Sequence, residues 1–495
     1  MKYLFAAVFA VLVAASVGTW FASPEAEAGT PVIYWVTDAN PARQEQVRLF
    51  HQWLIDEGHV TEDGEPVVRL RLDTGNSDAT KKLIQGVSGV GGDLIDVRGD
   101  WLPLFARTGI ADPVDLDAER LGFTPSETFD AVCSEITFNG EQYLFPCNVT
   151  SFLYWAHLGT FDKHGQPPPP KRWTIEEFER RGKAFVAAAN PAGQRQTVFW
   201  CDLVDLRELH RSFGVSRLNE TMTAARLDQP GFIEAMRLIR KWTHKDHLLP
   251  TASEQASFDT RAGAGTATVQ LFAQGNYAMF RGGRWYITAL RRFGDLPLAV
   301  VEPPHATYPN VTVSTRAAGV YAASEHRELA ALFPAFLASE PYNLQVVRSG
   351  DSMPPNPKYV AREEYLRPPD HPNEWAVHGD FVTAADDIGI GGAYSPFVLP
   401  SVVDRIVEEA FDKHMEGLLD AGAAARQAEA RINAQIEREV ADDPSQQPAY
   451  EAALARQAEI DRRRAAGEIV PADWIANPFY RRLYVERGWA VEEKS

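Results

Sequence analysis

The sequence predicts an α/β fold with a parallel sheet and a helical C-terminal extension. Three observations predict it: β-branched runs alternate with helix-period segments over residues 32–97, a second α/β region begins after Pro146, and the last third is mostly helical. Val32-Ile33-Tyr34-Trp35-Val36 reads as a buried strand, with Trp35 in the core. Asp38-Ala39-Asn40-Pro41 ends it and can cap the next segment, where Val47, Phe50, His51 and Leu54 recur at helical spacing. Val67 to Leu72 is a second strand, Asp73-Thr74-Gly75-Asn76 its turn, and Lys81 to Gly86 a helix. Asp93 to Val97 is a third strand, ending in Arg98-Gly99-Asp100-Trp101. Ligands of parallel sheets collect beyond the carboxyl ends of the strands. That rule nominates Asp38, Asn40, Asn76, Asp100 and Trp101.

A hairpin comes next, with Glu135 to Phe138 and Glu141 to Phe145 flanking the turn Asn139-Gly140. Its ideal register sets Cys133 opposite Pro146, one residue from Cys147, close enough to bridge; Cys147 meeting Cys201 is the alternative. Pro167 to Pro170 is a stiff loop, and Trp173 to Phe178 opens a helix with Thr174 and Glu177 in capping-box spacing. The chain then reads as largely helical to about Leu249. Phe280-Arg281-Gly282-Gly283-Arg284-Trp285 is a turn between an apolar segment and a helix. Leu296 to Val301 is a strand, Val311 to Ala323 holds one or two more, and Glu328 to Ser339 is an amphipathic helix. Val402 to Leu419 and the segment after Asp420 are helices, and Tyr450, Ala453, Leu454 and Ala458 form one apolar stripe on a third.

The 495 residues carry 49 Lys and Arg against 67 Asp and Glu, a net charge of −18. Such a surface repels phosphate backbones, so nucleic acid is not an expected partner. Three cysteines exclude a disulfide scaffold and an all-cysteine zinc site. Leu4 to Phe21 is almost continuously apolar, and Ala26-Glu27-Ala28 is a cleavage pattern. The segment reads as an export signal, residues 1–28, or as an uncleaved tether; either places the rest in the periplasm or outside the cell. There is no G-x-S-x-G, H-E-x-x-H or Walker sequence, and the glycine-rich Gly86 to Gly92 comes after a helix, the reverse of a dinucleotide loop. His244 and His247 lack a third metal ligand. No catalytic residue, metal or cofactor is nominated.

Several motifs recur in one order. Gly91-Gly92-Asp93-Leu94-Ile95-Asp96 resembles "GxxPDvi", Asn139 to Pro146 resembles "dGkxYalP", and Phe161 to Phe178 resembles "LFkkaGlxpPxTWdEf". Phe272 to Trp285 resembles "FxxGkaAMxxxGxW", Ala331 to Ser339 resembles "AxxFxxFLxS", and Gly350 to Pro355 resembles the "GxxP" turn that comes after it. Together they resemble the family 1 extracellular solute-binding proteins of ABC importers, the sugar-binding group that includes maltose-binding protein. The resemblance runs over about residues 31–437. It implies an α/β, two-lobed periplasmic-binding-protein-like fold with a ligand cleft between the lobes. Lobe one would comprise residues 31–145 plus about 305–350, lobe two 146–300 plus part of 351–440, and a helical tail 441–495, with the first crossing near Gln142 to Asn148. Departures are Ala156-His157 at the usual "YN", Gly92 at the usual proline, and the tail itself.

The implied role is a monomeric receptor that captures a sugar or oligosaccharide and delivers it to a membrane permease. Sugar sites combine aromatic faces with planar polar groups in a cleft. Trp285 matches the motif tryptophan, Arg281 lies beside the same turn, Asn148 and Thr150 come just after Pro146, and Tyr394 is a loop aromatic; these join the strand-end residues as ligand-binding candidates. The competing readings are a receptor for a polyol, phosphodiester or polyamine, and an exported carbohydrate-active enzyme using Asp38 and Asp100. A phosphorylated solute needs convergent cations, and only Arg98, Arg281 and Arg284 fall near the expected cleft.

Overall fold

Two β-sheets and the segments that connect them organise the protein; the computed structural model describes residues 30–262 and 267–492. The leader read in residues 1–28 lies outside them. Among the described residues no helix is long and apolar enough to cross a membrane.

The first sheet obeys the sequence alternation. β1 (Val32–Val36), β2 (Arg69–Asp73) and β3 (Leu94–Val97) are parallel, β1 lies between the other two, and helices Ala42–Asp56 and Ala79–Val87 make the connections. Asp78 caps the second helix, accepting the backbone N–H groups of Thr80 and Lys81. β4 (Thr137–Phe138) and β5 (Glu141–Gln142) form the hairpin, with φ of 52° at Asn139 and 88° at Gly140. It is shorter than expected, because Cys133–Ile136 is a helical turn.

β6 (Phe145–Ser151) belongs to the first sheet and β7 (Leu153–His157) to the second, so the chain passes between sheets at Phe152, beyond the Gln142–Asn148 stretch. β8 (Phe199–Cys201) and β9 (Tyr277–Gly282) run parallel, and β10 (Leu298–Val301) pairs antiparallel with β7; the order is β10-β7-β9-β8. β8 lies in the stretch read as helical. Its three residues are fully buried, and so short an apolar run carries no period that separates strand from helix. β11 (Val311–Val320) is one long strand that returns to the first sheet and pairs with β3 on one edge and β6 on the other. β12 (Gly389–Ile390) extends that sheet beside the start of β11. Residues 302–310 are therefore the second passage between the sheets. One apolar cluster joins the two sheets past Phe152, from Ile95 and Val97 through Val149 and Val313 to Trp155 and Phe280.

Helices Pro400–Met415 and Ala421–Asp442 pack on helix Pro230–His244 in the second lobe. The tail adds helix Gln447–Ala466, the short parallel pair β13 (Val470–Pro471) and β14 (Ala490–Val491), and helix Pro478–Glu486. Its stripe differs from the expected one. Tyr450, Ala453, Gln457 and Ile460 face the body, whereas Leu454 is 42% exposed and Ala458 is exposed. Buried polar bonds set that rotation: Gln457 donates to Glu220 at 2.8 Å and accepts from the Thr221 backbone at 3.1 Å.

The cysteines also depart from the sequence expectation, since all three are free. Cys133 sits on the helical turn and its thiol points to the Pro125 carbonyl, while Cys147 is buried in β6 and Cys201 in β8. Burial pushes the Cys147 thiol up to about 12.

Phe479 is fully buried and meets Tyr308 edge-on at 5.6 Å between ring centroids. Phe479→Ala should therefore cost about 3–5 kcal/mol in equilibrium denaturation. An unchanged midpoint would show that the tail does not support the body.

Candidate functional site

The carboxyl end of β1 turns outward at Thr37-Asp38. Asn40 accepts the Ala42 N–H and starts the next helix, and its own N–H donates to Asp38 at 2.9 Å. Arg43, on the first turn of that helix, points back. Its Nε and Nη2 donate to Asp38 at 3.1 and 3.2 Å, and its Nη1 donates to Asp351 at 2.6 Å. Burial pushes the Asp38 carboxyl up, but Arg43 and Arg316 outweigh it and hold Asp38 below the ordinary range. Asp38 stays ionised while 47% of its side chain remains open.

Asp96 in β3 accepts Trp35 Nε1 and Arg316 Nη1, both at 2.7 Å, and also the Thr37 hydroxyl. Arg316 lies over the Trp35 ring, 5.4 Å from its centroid, and its Nε and Nη2 have no hydrogen-bond partner. A β-bulge places it. The register pairs Arg316 with Asn148 and then Ala317 with Pro146, so Cys147 is the extra residue. Asn148 accepts the Arg316 N–H at 3.3 Å and donates to the Asp351 carbonyl at 3.4 Å. Thr150 shares a 2.6 Å hydroxyl bond with Ser352.

The second lobe comes up against this floor at Gly282-Gly283. A Cβ on Gly283 would stand 2.3 Å from Thr150 Cγ2, so only glycine lets the backbone approach. Arg284 turns inward, donating to the Ser352 carbonyl at 2.7 Å and to His378 at 3.0 Å. Trp285 turns outward, 37% exposed and stacked on Tyr286 with ring centroids 3.7 Å apart. Arg281 is committed to Glu208 by two bonds of 2.8 and 2.7 Å and lies 4.5 Å over the Phe152 ring. Asp202, just past β8, accepts the Arg281 and Leu203 N–H groups and is pushed by burial to about 7.

A third group surrounds the end of β3. Asp100 pairs with Arg98, and Trp101 lies edge-on to Phe105 at 6.4 Å. The Tyr394 hydroxyl and the Gly392 N–H both donate to Glu135 Oε1 at 2.9 Å. Burial pushes Glu135 up to about 7. Asn76 donates to Asp73 at 2.6 Å and secures the turn after β2.

Asp38, Asn148, Thr150 and Trp285 are thus connected through Arg43, Asp351, Ser352 and Gly283. Asp100 and Trp101 share the end of β3 with the Glu135–Tyr394 pair. Arg281 is spent on an internal ion pair and Asn76 on its own turn. Sequence reasoning missed Arg43, Arg316, Asp351 and Ser352. The Gly350–Pro355 segment resembles a motif turn, but nothing in the sequence ties it to Arg43.

Residues 61–373 match the family described as bacterial extracellular solute-binding protein. The chain belongs to that family. A search of curated proteins finds no match. Among solved structures, an ABC substrate-binding protein from Listeria monocytogenes in complex with cycloalternan superposes at a TM-score of 0.68 with 18% identity, over 83% of this chain and 100% of that one. Maltose-bound MalE3 of T. maritima gives 0.65 at 14% identity, over 81% and 99%. UgpB of Mycobacterium tuberculosis in complex with glycerophosphocholine gives 0.65 at 16%, over 83% and 100%. These likenesses establish the two-lobed fold. By family, the chain is thus a bacterial extracellular solute-binding protein.

Two predictions test the site's electrostatics. Glu208→Ala strands the buried Arg281 cation and should cost about 3–5 kcal/mol in denaturant unfolding; a loss below about 1 kcal/mol would remove Arg281–Glu208 from the framework. Glu135 has a folded pKa of about 7, above its ordinary value of 4.5. Its preference for the protonated form is fully present below pH 4.5 and is lost as pH rises toward 7. Glu135→Gln, which mimics the protonated acid, should match the wild type near pH 4 and exceed it in stability at pH 7. A constant difference across that window would contradict the shift.

Proposed function

We propose that the protein captures a carbohydrate, a sugar or oligosaccharide, between its lobes and delivers it to an ABC permease without chemical change. The exposed Trp285 indole carries this reading. It stands just past the carboxyl end of β9, one face stacked on Tyr286 and the other available, in contact range of the Gly283–Thr150 approach that joins the lobes. An indole offers a flat apolar face to a sugar ring and one N–H donor. Asp38, Asn148 and Thr150 supply polar groups on the adjoining floor, and Asn40, Asp100, Trp101 and Tyr394 lie toward its rim. The cycloalternan and maltose carried by two structural neighbours agree with this solute class. Asp38, which Arg43 and Arg316 keep ionised, is not suited to the general-acid role of the enzyme reading. The net charge of −18 favours a freely soluble monomer with no nucleic-acid partner.

A thermal-shift screen of the exported protein against sugars and polyols tests the proposal, since binding to the native state raises stability by mass action. Trp285→Ala should weaken the best hit about tenfold to a hundredfold, on the order of 1–3 kcal/mol for one stacked face, and leave the fold intact. A variant that unfolds more readily yet keeps its affinity would make Trp285 a packing residue and displace the cleft.

A further inference from the structure

We infer that the second lobe carries a dedicated oxyanion subsite, between helix Leu206–Ser212 and the segment 392–404, which takes a phosphoryl, sulfuryl or carboxyl group of the solute. The inference deepens the carbohydrate reading and rests on it for the remainder of the ligand.

A cavity of about 50 Å³ lies there, lined by Arg207, His210, Arg211, Arg217, Tyr394 and Asp404. That volume holds roughly three to five waters, or one tetrahedral anion. Arg211 is only 5% exposed; its Nη2 donates to the Gly391 carbonyl at 3.2 Å and its Nη1 has no partner. His210 is 1% exposed; its Nδ1 pairs with the Val215 carbonyl at 2.9 Å and its Nε2 has no partner. Arg217 donates from Nη1 to Asp404 at 2.7 Å and leaves its Nε unpaired. Arg207 reaches Asp205 only at 3.8 Å.

Buried polar groups normally find partners, and a buried cation with unmade bonds is costly. Here several unmade bonds border one cavity. Charge points the same way. Arg207, Arg211, Arg217 and Arg281 face Asp205, Glu208 and Asp404, four cations against three carboxylates. The carboxylates nearby therefore leave the cluster positive. Burial, aided by Arg207 and Arg217, lowers Arg211 to about 10. Arg207 and Arg211 are also four apart on one short helix, a like-charge spacing that works against the helix unless something else neutralises it. An oxyanion accepts several guanidinium N–H bonds at once and supplies the missing charge. The three arginines expected near the cleft from sequence do not compete for it: Arg98 is paired with Asp100, Arg281 with Glu208, and Arg284 is buried against backbone carbonyls.

The test uses the full exported chain, with thermal shift and calorimetry against glucose, glucose 1-phosphate, a glucose sulfate, glucuronate and inorganic phosphate. At least one anionic probe should bind tenfold or more tightly than glucose, and the charged probe that does so identifies the group. Arg211→Met should abolish that advantage and any shift from inorganic phosphate. Arg207→Met, at a more exposed position, should reduce it several-fold, and it serves if the Arg211 variant does not fold. Trp285→Ala should instead weaken neutral and anionic probes alike. If glucose binds in a Trp285-dependent way and no anion improves on it, the subsite is overturned and the receptor reading stands. If inorganic phosphate binds through Arg211 and no sugar binds, the subsite stands and the carbohydrate reading fails. An anion advantage that survives both arginine substitutions would also overturn it.

Discussion

The antiparallel pairing of β6 with β11 is the constraint on which the molecule depends. β11 lies between β3 and β6, so it ties the parallel strands to the segment that leaves for the second lobe. Each polar group on the cleft floor is placed by that ladder or by a contact to it. Asn148 and Arg316 face each other across it, Thr150 reaches Ser352 from it, and Ser151 donates to the Phe381 carbonyl behind it. The second lobe is fastened to the same ladder through Glu208, whose Oε1 accepts the Thr312 N–H while its carboxylate pairs with Arg281. Loss of the pairing would dissolve the site along with the sheet.

The candidate site at the strand ends is built from charges that largely cancel. Asp38, Asp96 and Asp351 take up Arg43 and Arg316, and these ions sit where burial would otherwise penalise them. Such a network contributes little net stability compared with an apolar core, so its value lies in orientation. It fixes Asp38 as an ionised acceptor and leaves two Arg316 nitrogens unspent. In the second lobe, the arginines of the helix after β8 lack enough carboxylates to cancel them. The acidic surface and this local positive cluster are therefore distinct properties of one chain. The overall charge governs solubility and nonspecific contacts, whereas the local excess is a short-range feature of one cavity.

Much of the first lobe was legible because its strands alternate with amphipathic helices, and period is what sequence displays best. The strand-end rule then reached Asp38, Asn40, Asp100 and Trp101 from position alone. Partners distant in sequence were not legible. Arg43 meets Asp351, and Thr150 meets Ser352, only because the chain passes between lobes and returns. β8 hid in a helical stretch because a short, fully buried strand has no alternation to show. The hairpin was overread toward Cys133, since a turn dipeptide locates a hairpin but does not measure its strands. The tail helix showed apolar residues on two neighbouring stripes. The choice between them was settled by the polar residue Gln457, which is buried because it meets Glu220 and Thr221.

Glu220 shows how far the tail is bound to the body. It accepts Arg464 and Gln457 at 2.8 Å and the Tyr484 hydroxyl at 2.5 Å, so one carboxylate of the second lobe holds both tail helices. Asn477 adds bonds to Ser216 and to the Leu218 carbonyl on the same lobe. The same C-terminal helix also contacts the other side: Arg482 donates to the carbonyls of Gly389 and Asp386, beside β12 of the first sheet, and Phe479 covers Tyr308 in the second passage. The tail thus spans both sides of the passages at Phe152 and residues 302–310. The bonds to Glu220 and Asn477 are buried, whereas Arg482 reaches partly exposed carbonyls at the sheet edge. Buried charge-assisted bonds are the costlier set to break. The second lobe thus holds the tail by the stronger polar set, while Ile390 of β12 and Tyr308 share the tail's buried apolar cluster.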